Sequence, residues 1–195
     1  MTDPNDPREG NRRAMHLPSK LPAPVYRIRH LERLPLGMTY PAQVAHVVGL
    51  LCRDPLARFE ASTYIDGTGV GRAVVDLFKQ TRMKRMHAVT ITAGTSITRT
   101  MDGWHCSKLE LISRIQALLH SGALLIEPEL ADAATLAREL QDFRVSFSTA
   151  GNPIFGARSG AHDDLVLAAA LAIFGATRSE MITEIGLGCG MRLPG

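Results

Sequence analysis

The stretch TYIDGTGVGRAVVDLF, residues 63–78, constrains the fold more than any other part of the chain. Thr63, Tyr64 and Ile65 favour a strand. Gly67, Gly69 and Gly71 break it, and Val70, Val74, Val75, Leu77 and Phe78 then return at helical spacing. Strand, glycine loop and helix in that order make a unit of α/β folds, and such a loop commonly cradles phosphate. Asp66, at the strand end, points instead to a metal or a general base. It also suits a turn before Gly67. The local sequence leaves both readings open.

A nucleotide loop is a poor match. A P-loop needs Gly-Lys, and the chain has no such pair. Gly67, Gly69 and Gly71 run Gly-x-Gly-x-Gly, not the dinucleotide spacing, and the acid precedes the loop rather than following it by about 20 residues. The glycines are therefore expected to let the helix begin close against the sheet.

Strand and helix patterns alternate along the rest of the chain. Strands are expected at 25–33, 61–66, 86–93 and 124–126, with a hairpin at 144–148 and 154–155. Helices are expected from Pro41 to about residue 51, at 71–80, from Ser107 to Gly122, at 131–143 and at 162–176. Ser107 and Glu110 form a capping box, and Gly122 suits a C-cap. Residues 94–103 read as a loop, with Trp104, His105 and Cys106 in a loop or packing role. Residues 1–24, rich in proline and charge, read as a disordered leader, and 179–195 as a tail. The domain proper is 25–178, an α/β unit with helices on both faces of the sheet.

Charge and cysteines narrow the function classes. A net charge of +3 over 195 residues is compatible with a polyanion partner without demanding one. Cys52, Cys106 and Cys189 are too few and too scattered for a disulfide framework or a thiolate metal site, which fits a reducing, cytoplasmic setting. No apolar run is long enough for a membrane span.

A second acidic site lies in GAHDDLVLAAALA, where Asp163 and Asp164 open an apolar helix. A helix N-terminus favours negative charge, which accounts for one carboxylate better than for two. A basic cluster of Arg72, Lys79, Arg82, Lys84 and Arg85 follows Asp66, and Arg27, Arg29 and Arg33 share a parity. These suit phosphate contacts or an ordinary solvated face. His162 is a helix-flanking polar residue or a helper at an acidic site.

Five pieces, YRIRHLERLPLGMTYPAQVAHVV, YIDGTGVGRAVVDLF, SKLELISRIQALLHSGALLI, ATLARELQDF and GAHDDLVLAAALA, occur in one order over about three quarters of the chain. Together they resemble the nuclease domain of the large terminase subunit of tailed bacteriophages, in the RNase H-like superfamily. The resemblance implies a mixed sheet flanked by helices, incomplete at its first strand, and a metal-dependent endonuclease acting on double-stranded DNA during viral packaging. It implies Mg²⁺ or Mn²⁺ held by Asp66, Asp163 and Asp164, since hard cations take carboxylate oxygens and two such ions can drive phosphodiester hydrolysis. Other packaging proteins or a second copy are the implied partners.

The family's first strand and its carboxylate have no counterpart here, nor does the ATPase domain. A truncated gene of prophage origin is the expectation. Met181 to Ile185 is a candidate replacement strand, with Glu184 as a substitute carboxylate. The alternatives are a non-catalytic remnant that binds DNA or a protein, and a nucleotide-binding α/β protein.

Overall fold

The computed structural model describes residues 23–81, 83–147, 153–157 and 163–188, without the side chains of 144–147, 153–157 and 179–188. The elements alternate. Strand β1 (Tyr26–Ile28) leads to helix α1 (Tyr40–Leu51), β2 (Thr63–Asp66), α2 (Gly71–Gln80) and β3 (Met86–Thr92). There follow β4 (Ile97–Thr100), β5 (Gly103–Ser107), α3 (Lys108–His120), β6 (Leu124–Ile126) and α4 (Ala133–Asp142). The hairpin β7 (Phe143–Phe147) and β8 (Pro153–Ala157) precedes α5 (Asp164–Gly188).

A four-stranded mixed sheet has the order β2-β3-β5-β4. β2, β3 and β5 run parallel, and β4 is antiparallel to β5. β1 and β6 form a separate parallel pair, and β7 and β8 an antiparallel one. Helices cover the main sheet on both faces. Ala88 and Val89 are neighbours on β3 and point to opposite sides. Beside Gly67, Ala88 faces Val75 of α2, while Val89 is fully buried with Leu111 of α3 and Ala170, Leu171 and Phe174 of α5. A second cluster joins Ile112, Leu136, Phe143, Leu165 and Val166, binding α3, α4 and α5 together.

Local chemistry explains the element ends. Ser107 Oγ accepts from Glu110 N at 3.2 Å and starts α3. Gly122, at φ +69°, follows its last turn. Pro41 stands in the first turn of α1.

Four expectations are corrected. The strand expected over 25–33 stops at Ile28, opposite the last residue of its partner β6, Ile126, and the backbone N–H of Arg33 further on goes to Asp132 Oδ2 at 3.0 Å. The loop expected at 94–103 contains β4, an edge strand whose polar residues hide its period. Of the loop and packing roles expected for Trp104, His105 and Cys106, the loop gives way to β5 and packing holds, with Cys106 fully buried and Trp104 against the same core cluster. The strand expected at 181–185 is helical, since α5 runs on to Gly188. With no proline to stop it, extending a formed helix is easier than nucleating a new element. Glu184 therefore sits on a helix, and no replacement strand forms there. Helix α5 runs on through residue 178.

β2 ends the four-stranded sheet at the edge nearest α5, and β1 stands in its own pair. Beside β1 lies a cavity of 460 Å³, and beside β2 one of 440 Å³. Both are walled by Ala168, Ala172 and Ala176 of α5.

Candidate functional site

Asp66 ends β2 beside Val89. Its Oδ1 accepts from Thr68 N at 2.8 Å, closing the turn that a local reading allows. Gly67 N donates to Val89 O at 2.9 Å, and Ile91 N donates to Thr68 Oγ1 at 2.8 Å, so the loop is sewn to β3. Gly71 lies against the Asp66 carbonyl, where a Cβ would come within 2.2 Å of the oxygen. The glycine loop thus serves close packing.

Three amides at the start of α2 are already used: Gly71, Arg72 and Ala73 N donate to the carbonyls of Thr68, Gly69 and Val70. A nucleotide reading would lose those donors.

The second acidic site forms where α4 meets α5. The carbonyl of Asp163 accepts from Leu167 N at 3.0 Å, which makes Asp163 the residue that begins α5. Its side chain does not cap the helix. That task falls to Glu139 of α4, whose Oε2 accepts from Leu165 N at 2.9 Å and Val166 N at 3.3 Å. Asp163 Oδ2 instead accepts from Lys108 Nζ at 2.9 Å. Arg33 Nη1 donates to Asp164 Oδ2 at 3.0 Å, and Arg33 Nη2 to Glu139 Oε1. Asp164 is 67% exposed while Glu139 is 7% exposed, so one guanidinium links a surface carboxylate to a buried one.

Sequence reasoning missed Glu139 and Lys108. The signal for Glu139 was present: Leu136, Leu140 and Phe143 make an apolar stripe on α4, and Glu139 falls on it. A carboxylate on a buried stripe needs a partner.

The candidate residues are brought together only in part. Asp163 and Asp164 share one helix end. Asp66 stands on the neighbouring strand, whose partner Val89 packs on Ala170. Ala170 is six residues beyond Asp164, about 9 Å along the helix axis. Among the described residues no three His, Cys, Asp or Glu side chains converge. In kind, the donors fit a hard divalent cation, being carboxylate oxygens. In placement, two of them share one place and the third stands apart.

The basic cluster divides. Arg72 and Lys79 line a 350 Å³ polar cleft with Asp76, Asp102 and His105. Lys84 and Arg85 line another with Glu60. Lys79 pairs with Asp76 and Arg85 with Glu60, each at 3.5 Å. Arg82 and His162 lie outside the described residues, as does the side chain of Glu184. Burial pushes the Cys106 thiol up to about 11, so it is no nucleophile.

The architecture is a mixed sheet between helices, a fold shared with solved nuclease structures. Among solved structures, the chain is similar to the large terminase nuclease from thermophilic phage G20c. The likeness is 23% identity, with a TM-score of 0.53, over 70% of this chain and 62% of that one. The same nuclease with bound magnesium, and with bound cobalt, matches at 24% identity and a TM-score of 0.54 over 71% of this chain. The chain thus spans about three fifths of those structures. No protein-family model and no curated protein matches it.

Proposed function

We propose that the chain is a phage terminase-like DNA endonuclease domain, a metal-dependent phosphodiesterase of viral DNA packaging. One observation carries this reading beyond the fold. Glu139 takes over the capping of α5, so the Asp163 side chain at its start is turned to Lys108 rather than to the helix, next in the chain to the Asp164 carboxylate. Asp163 and Asp164 would hold Mg²⁺ or Mn²⁺ at the start of α5, with Asp66 as a third ligand where it comes within reach of them. When bound, such ions supply an activated water and charge stabilisation at the leaving oxygen. Arg72 and Lys79, in the cleft beside Gly67, would contact phosphates of double-stranded DNA. Cytoplasmic location and assembly with other packaging proteins or a second copy belong to the same reading. Among the described residues, no helix is long and apolar enough to cross a membrane.

Plasmid cleavage across a Mn²⁺ titration tests the proposal, with wild type compared to Asp66→Ala and Asp164→Ala. The expected result is cleavage in the wild type and a loss of about a hundredfold or more in each variant.

A second reading is a non-catalytic remnant that binds DNA or a protein. It is favoured by the lack of convergence among Asp66, Asp163 and Asp164 and by the separation of β1–β6 from the main sheet. DNA binding by the folded wild type, without Mn²⁺-dependent cleavage or Mn²⁺ uptake, would select it.

A further inference from the structure

Among the described residues, Glu139 is the one charged side chain in the core. Burying a carboxylate is unfavourable unless it is both paired and hydrogen-bonded. An Asp at the helix start could cap α5 at less cost, and Asp163, more exposed than Glu139, stands at that position unused for it. The buried arrangement does something that a surface cap does not. Glu139 Oε2 holds the amides of Leu165 and Val166, and Oε1 holds Arg33. The other arm of Arg33 reaches Asp164. The backbone of Arg33 is fastened in turn to Asp132, which immediately precedes α4. Three segments, the strap after β1, α4 and α5, are thereby tied at the point where the two acidic side chains emerge.

We infer that Glu139 and Arg33 are positioning residues for the acidic end of α5: Glu139 fixes the first turn, and Arg33 fixes the direction of the Asp164 carboxylate. The inference rests on the reading of Asp163 and Asp164 as ligands for a divalent cation. A guanidinium suits the task because its planar fork can hold two carboxylates at once, whereas an ammonium is a point charge on a flexible stem. Lys108 supports Asp163 from α3 on the other side.

The test uses the full chain and two variants. Arg33→Lys keeps the charge and removes the fork, so any effect reports direction rather than electric field. Calorimetric Mn²⁺ affinity is expected to fall about tenfold or more, with the thermal midpoint little changed. The Asp164 χ1 couplings in NMR are expected to pass from one rotamer to an average. Glu139→Gln replaces charge-assisted bonds with neutral ones. Hydrogen exchange at Leu165 and Val166 is expected to quicken about tenfold, with Ala170 and Leu171 unaffected.

Unchanged Mn²⁺ affinity and an unchanged Asp164 rotamer in Arg33→Lys would overturn the inference, reducing Glu139 to a structural cap even if its exchange effect appears. Should Glu139→Gln not fold, Arg33→Lys decides alone. If wild type takes up no Mn²⁺, the metal reading fails separately, and the Asp164 couplings still decide the positioning claim.

Discussion

Replacing Gly71 by alanine tests the packing that places Asp66. A Cβ at Gly71 would lie 2.2 Å from the Asp66 carbonyl oxygen, whereas real Cβ contacts stay beyond 3.0 Å. The obstacle is backbone, held in the β2–β3 ladder, so it does not swing away as a side chain would. Helix α2 must retreat by at least about 0.8 Å, and its buried Val75 and Phe78 must follow. Overpacking of this kind costs about 1–3 kcal/mol. Alanine returns at most about 1 kcal/mol in helix propensity. Since the obstacle is backbone the cost lies in the upper part of that range, about 2–3 kcal/mol, and the net loss is about 1–2 kcal/mol, a fall in thermal midpoint of about 2–8 °C for a chain of this size. Urea unfolding followed by circular dichroism measures it. Gly49→Ala is the control: a Cβ there meets nothing within 4 Å inside α1. It should stabilise by up to about 1 kcal/mol. A Gly71→Ala protein as stable as wild type, or a Gly49→Ala protein that loses more, would refute the close approach of α2 to the end of β2.

Other outcomes follow from the same geometry. Ser107→Ala removes the hydroxyl that accepts from Glu110 N and should cost about 1 kcal/mol in urea unfolding. Leu136→Ala, at a fully buried position between α3, α4 and α5, should cost about 2–5 kcal/mol. Brief thiol labelling of the native protein at pH 8, read by peptide mass mapping, should modify exposed Cys52 and spare buried Cys106. Burial, and then the charge of Arg99, lower the pKa of His87, which stacks on Tyr64 at 4.8 Å. The unfolded chain then binds more protons just below pH 6.5, so stability should fall as pH drops through that value. His87→Phe should flatten that slope in unfolding curves compared with wild type.

Much of the fold was legible in local patterns. Helix α2 occupies the span that its apolar spacing marks, β6 falls on Leu124–Ile126, and the Ser107 cap forms as its box implies. These features depend on neighbours within a few residues, which a sequence displays directly. The hairpin edge β4 was hidden because a wet edge strand has no apolar alternation to show. The end of α5 was misjudged because Ile182, Thr183 and Ile185 are residues that favour strands, while the helix already formed upstream sets their conformation.

The sequence by itself determined the alternation of strands and helices, the glycine-permitted start of α2 and the three aspartates at element ends. Asp66 closes a local turn, within reach of a sequence reading. Tertiary structure alone decided what the other two meet: Asp163 faces Lys108, and Asp164 faces Arg33, across 131 residues of chain. It also gave the capping of α5 to Glu139, from another helix. The physical reason is that a carboxylate takes any donor within about 3 Å. Which donor comes that near is settled by the packing of α3, α4 and α5, not by spacing along the chain.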